Sequence, residues 1–253
     1  MILVLSADPT LQNFWTNFWN KPCIKECSAQ GESILLLHPG RNPKWSKLAQ
    51  KTGQYASRIV AGKGITLPKE RPWKRQEFTK QKEKILLNTL RSKADETDWV
   101  GLCDPEGKLT MLAWELAQSF PRVTVWCEFK ERYQSLSEAL MKELGAAVEL
   151  TNCREGLVGC PLIGAMEAPP FRCQWDGLLL LTGKTELPPL SGELRQELRI
   201  SVPEDVKKAA PSDVDPMELY LAILKEKRQE IPPNLCFELQ EDSADINTFE
   251  KFL

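Results

Sequence analysis

Short apolar runs alternate along this chain with stretches whose apolar residues recur every three or four positions. The first pattern predicts buried strands and the second amphipathic helices. Ile2 to Ser6 is an apolar run, followed by Asp8-Pro9-Thr10, an acidic N-cap with proline at the first helical position. A helix is expected from Leu11 to Trp19, with Phe14, Trp15, Phe18 and Trp19 on its aromatic face. Ser33 to Leu37 predicts a second strand and Arg58 to Ala61 a third. Between them lie a Pro39-Gly40 turn and a short helix over Lys47 to Tyr55. Strands separated by helices point to βαβ units and a parallel sheet.

The pattern is sharper after a helix expected over Glu77 to Ser92, whose apolar stripe is Ile85, Leu86, Leu87 and Leu90. Trp99 to Cys103 predicts a strand. Leu109 to Phe120 predicts a helix with Leu109, Leu112, Ala113, Leu116 and Ala117 inward. Arg122 to Glu128 is the next strand. Glu131 to Leu144 is the next helix, closed by Gly145 as a C-cap glycine. Val148 to Leu150, Pro161 to Ala165 and Gly177 to Thr182 complete the sheet. The tail predicts helices over Gly192 to Leu198 and Met217 to Arg228, with Pro203 and Pro211 between them. The fold class is therefore α/β in two lobes. A smaller N-terminal α/β lobe with a basic connector helix occupies 1-95. A Rossmann-like parallel sheet with flanking helices and a helical tail occupies 96-253. Both lobes open on a strand, an Asp-Pro and a helix (VLSADPTL and VGLCDPEGKL), a match too short to imply duplication.

Composition narrows the function classes. The chain has 253 residues, 42% hydrophobic and 27% charged, with a net charge of -2. That excludes long disorder and a fibrous coil, and gives no global attraction to nucleic acid or an anionic membrane. No run approaches the ~18 apolar residues of a membrane span, and no basic region precedes an apolar leader, so a cytoplasmic protein is expected. Charge is nonetheless uneven. Lys63 to Lys93 holds ten basic and three acidic residues; Glu186 to the end holds 15 acidic and 8 basic. The basic stretch has two readings, a polyanion-binding face and a solvated helix docked on acidic surface elsewhere, and the second is favoured. Trp73 and Phe78 are too few aromatics for a nucleic-acid platform. The eight cysteines form no C-x-x-C pair, and His38 is the sole histidine. Neither a zinc site nor a Ser-His-Asp triad is expected.

The turn after the Trp99 strand carries the candidate chemistry. A dinucleotide fold needs a strand, a glycine turn, and a helix whose first N–H groups face a pyrophosphate. Here the turn reads Gly101-Leu102-Cys103-Asp104-Pro105-Glu106-Gly107-Lys108. Gly101 and Gly107 frame it, and Cys103 stands where the middle glycine would let phosphate approach. Asp104 and Glu106 add negative charge, which Lys108 partly offsets. Glu128, 27 residues after Gly101, stands where an acid would bind the ribose hydroxyls of NAD. Lys130 and Arg132 could instead hold the 2′-phosphate of NADP.

The segments GKLTMLAWELA and VTVWCEFKERYQSLSEALMKELGAAVELT resemble the NAD(P)-binding domain of the shikimate/quinate dehydrogenase and glutamyl-tRNA reductase type. The resemblance spans about a fifth of the chain. It implies a two-lobe oxidoreductase with an N-terminal substrate lobe. The family's catalytic lysine is echoed only faintly by Lys69 in ITLPK, about 30 residues before the cofactor strand and far closer to it than in the family. A solvated loop lysine is the favoured reading there, and no catalytic residue is assigned. Two functions follow as expectations. One is an NAD(P)-dependent oxidoreductase acting on a small-molecule substrate. The other is a catalytically silent Rossmann-like protein that senses a nucleotide or binds a partner. A homodimer is compatible with either.

Overall fold

The computed structural model describes residues 1–12, 21–40, 43–52, 58–67, 74–145, 148–168, 174–185 and 192–239. Most of the aromatic stretch 11–19, along with Lys69, Pro68 and Trp73, lies outside them. The chain divides into two compact units, Met1–Ile85 with Ile200–Leu235, and Leu86–Arg199 with Cys236–Leu253. Among the described residues no helix is long and apolar enough to cross a membrane.

Unit 1 is built on a five-stranded mixed sheet. Its strands are β1 (Ile2–Leu5), β2 (Cys23–Ala29), β3 (Glu32–His38), β4 (Arg58–Ala61) and β5 (Lys74–Arg75), in the order β2-β3-β1-β4-β5. β1 pairs in parallel with both β3 and β4, while β2 runs antiparallel to β3. The strand β2 was not expected from sequence, because its burial alternates weakly through polar residues at a sheet edge. Its hairpin turns on Gln30-Gly31, both at positive φ, +52° and +74°. That is the geometry of the tight primed turns. Gln30 holds this costly conformation because its backbone and side-chain amides donate to the Asp205 carboxylate at 2.7 to 2.9 Å.

One face of this sheet buries Leu3, Leu5, Leu35, Leu37, Ile59 and Ala61 with Leu48 of α1 (Trp45–Lys51). On the other face Val4, Leu36 and Val60 are equally buried. Burial on both faces is why β1 and β3 read as continuous apolar runs rather than alternating ones. The helical tail expected on the second lobe instead returns to unit 1, as α5 (Glu204–Ala209) and α6 (Pro216–Glu226). α5 lies on β2, and α6 on β1 and β4. Every apolar residue of α6 from Leu221 to Leu224 is buried, and Asp215 caps its start by accepting the Met217 N–H at 2.9 Å.

The connector helix α2 (Thr79–Arg91) carries the chain from unit 1 into unit 2. Unit 2 holds a six-stranded, all-parallel sheet. Its strands are β6 (Trp99–Cys103), β7 (Arg122–Trp126), β8 (Val148–Thr151), β9 (Leu162–Ala165), β10 (Leu178–Leu181) and β11 (Glu193–Gln196). Their order is β11-β10-β9-β6-β7-β8. The chain steps outward from β6 to β8, crosses back, and steps outward again from β9. That is the Rossmann strand order. Helices α3 (Thr110–Ala117) and α4 (Glu131–Leu144) link the first three strands, and Gly145 closes α4 at φ +63°. The helix expected over Gly192 to Leu198 is corrected to the edge strand β11. Its backbone completes the ladder of β10, and Leu194 packs on the core cluster beneath.

Candidate functional site

In an open α/β sheet a ligand normally sits beyond the carboxyl ends of two adjacent strands whose connections depart in opposite directions. Unit 2 has this switch between β6 and β9. The turn after β6 is the one the sequence singles out, and its side chains fill the space.

Asp104 is 3% exposed. Its Oδ1 accepts the Lys108 N–H at 3.0 Å and its Oδ2 the Leu109 N–H at 2.8 Å. These are the backbone donors leading into α3 that a pyrophosphate would use. Oδ2 also accepts the Tyr133 hydroxyl at 2.6 Å, from inside α4. Tyr133 is fully buried. Burial, and then the charge of Asp104, push its phenol well above the ordinary value, so it stays a proton donor to the carboxylate. The carboxylate, two amides and a phenol thus form a closed set.

The other expected cofactor residues fall in varied places. Gly101 lies inside β6 rather than in the turn. A Cβ there would come within 3.0 Å of the Cys160 sulfur and of Ile163, so the glycine makes room for packing, not for phosphate. Cys103 ends β6, buried in a cluster with Trp126, Leu157 and Ile163. Gly107 has φ +65°, and its missing Cβ would fall 2.8 Å from Arg132 Cδ. Arg132 folds back over the turn, where its guanidinium donates to the Glu106 carbonyl. Lys108 pairs with Glu106. That contact lowers the Glu106 carboxyl and raises the Lys108 ammonium from their ordinary values. Glu128 is exposed just beyond β7, and its N–H donates to the Pro105 carbonyl at 3.3 Å. Lys130 stands at the start of α4.

The residues of this turn do not fit a pyrophosphate. A buried carboxylate already takes the amides, and its charge repels a second anion in the same place. Lys108 and Arg132, the cations that could offset it, are engaged with Glu106. The sequence shows Asp104 in the turn but cannot show where it points, and Tyr133, the residue that holds it there, follows 29 positions later.

Unit 1 repeats the device with different residues. Its switch lies between β1 and β4, and Asp213, from the segment before α6, enters it. Ser6 Oγ donates to Oδ1 at 2.5 Å, the Ala7 N–H to Oδ2 at 2.7 Å, and the Lys63 N–H to the Asp213 carbonyl at 2.7 Å. A Cβ on Gly62 would lie 2.1 Å from Asp213 Oδ2, so only glycine lets the carboxylate in. Beside it Asp8 accepts the Thr10 N–H and hydroxyl and the Ser212 N–H, at 2.7 to 2.8 Å. The Thr10 hydroxyl first, then the Ser212 amide, hold the Asp8 carboxyl far below its ordinary value.

Among the described residues no group of His, Cys, Asp and Glu is placed to hold a metal ion. The buried thiols are poor nucleophiles. Desolvation pushes Cys160 up to about 12 and raises Cys127 as well. No family model matches the chain, and no curated protein or solved structure matches it significantly.

Proposed function

We propose that this protein is a catalytically silent, Rossmann-like binding module rather than an NAD(P)-dependent dehydrogenase. The observation that carries this reading is the buried Asp104 carboxylate, held by the Lys108 and Leu109 amides and the Tyr133 hydroxyl where a dinucleotide would place its pyrophosphate. The matching intrusion of Asp213 at the switch of unit 1 supports it. The strand order of unit 2 and the exposed Glu128 support the second reading, an oxidoreductase similar to shikimate dehydrogenase with NAD or NADP as cofactor. Calorimetric titration with NADH and with NADPH separates the two. The expected result is no saturable heat up to about 1 mM, a binding free energy weaker than about -4 kcal/mol. Saturable binding of either nucleotide at micromolar concentration, weakened when Glu128→Ala or Arg132→Ala is introduced, overturns the proposal.

A further inference from the structure

The basic connector was expected to dock on acidic surface. Its last turn, in unit 2, does pair with an acid, Arg91 with Glu115 at 3.2 Å, while its first turns, in unit 1, lie beside other cations. Lys80 and Lys84 of α2 line a groove whose far side is Leu224, Lys225 and Arg228 at the end of α6. The groove holds about 500 Å³, within the range of roughly 300–1,000 Å³ of small-molecule sites. Its lining includes four cationic residues, Lys80, Lys84, Lys225 and Arg228, and one acid, Glu230. Lys80 and Arg228 are exposed. The Lys225 ammonium donates to the carbonyl of Glu77, just before α2, at 3.5 Å.

A second observation concerns the backbone under Arg228. Helix α6 ends in a Schellman motif. The Gln229 N–H returns to the Leu224 carbonyl at 2.9 Å and the Arg228 N–H to the Lys225 carbonyl at 3.1 Å. The residue this motif sets in the left-handed region is Arg228, at φ +54°. Glycine fits that position without strain, and a side chain there costs stability. This arginine is among the residues that line the groove. Gln30 and Glu197 share the left-handed backbone, so the conformation sets where the Arg228 side chain leaves the helix end and does not by itself mark a ligand site.

We propose that the groove between α2 and α6 binds a phosphate-bearing small molecule. A phosphate carries close to two negative charges and several acceptor oxygens, which match the planar fork of Arg228 flanked by lysine ammonium groups. This inference rests on unit 1 alone and stands whether or not unit 2 takes a nucleotide.

Inorganic pyrophosphate is the probe, titrated calorimetrically into the full chain at low salt. Wild type is expected to bind it saturably at one site per chain, more tightly than citrate. Arg228→Gly is expected to weaken binding by about tenfold or more while leaving Tm unchanged or raising it by about 1–3 °C, because glycine removes the strain. Lys80→Gln is expected to weaken binding several-fold at constant Tm. Lys82→Gln, on the same helix but outside the groove, is expected to change little. Three results overturn the proposal: no saturable heat from pyrophosphate at about 5 mM, equal losses in Lys80→Gln and Lys82→Gln, or citrate binding as tightly as pyrophosphate. A single-stranded 12-mer that binds in a way that pyrophosphate does not displace and Arg228→Gly does not weaken would also overturn it, in favour of a nucleic-acid surface.

Discussion

Asp8 shows how one carboxylate ties chain ends together. It caps the turn Pro9–Leu11 through Thr10 and also accepts the amide of Ser212, 204 residues away. Its proton affinity in the folded state is depressed, so the unfolded chain binds protons more readily at acid pH. The stability it contributes is complete above the unfolded carboxylate value of about 4 and is lost as pH falls below that toward the folded value. Asp8→Asn should therefore be less stable than wild type by about 1–2 kcal/mol at pH 6. The gap should narrow as pH drops from about 4.5 to 3. Urea unfolding across that range measures it, and a gap that stays constant with pH would refute the assignment. The Asp-Pro signature that predicts this cap is local and was legible in the sequence. The partner Ser212 was not, because nothing local distinguishes the serine that will meet the carboxylate.

Among elements, those with strong internal periodicity were readable. The range Glu131–Leu144 of α4 and its Gly145 cap follow from the three-and-four spacing and the glycine alone. β2 and β11 were not readable, because both are edge strands whose residues alternate only partly between core and solvent. β11 forms where β10 offers an open ladder, a cause outside its own sequence. The junction of β4 with the segment before α6 is likewise a pairwise matter. Gly62→Ala would drive a methyl into the Asp213 carboxylate, at an expected cost of about 2–3 kcal/mol. In an Asp213→Ala background the same substitution should cost less than about 1 kcal/mol. A double-mutant cycle by chemical denaturation reads the difference. Additive losses would show that Gly62 is needed for another reason.

At the scale of the whole molecule, the chain leaves unit 1 through α2, builds unit 2, and returns to unit 1 at Ile200. Unit 1 is consequently incomplete without its last helices. α6 covers β1 and β4, the Met1 amino group meets Glu226 at 2.7 Å, and Asp213 fills the switch between those strands. A chain ended after Arg199 should expose the buried sheet face of Val4 and Val60. It should bind a hydrophobic dye strongly and lose the cooperative unfolding of unit 1. A truncated chain that unfolds like the full one would show that α6 is dispensable. Fold class and the two-lobe plan were legible because periodicity reports burial. The return of the tail was not, since an amphipathic helix shows which face is buried but not against what.

The sequence alone determined the α/β class, the central strands, the helices α3 and α4 of unit 2, and the turn between β6 and α3. Each depends on local spacing, and local spacing is written in consecutive residues. Tertiary structure decided what the two switch points hold. Asp104 turns inward because Tyr133 waits for it on α4, and Asp213 enters unit 1 because Gly62 leaves it room. It also decided that Lys80 and Lys84 of α2 share a groove with Lys225 and Arg228, while Arg91 at the other end of the helix pairs with Glu115. Such meetings join residues far apart in the chain. Their energies depend on distance and burial in space, and a linear pattern carries neither.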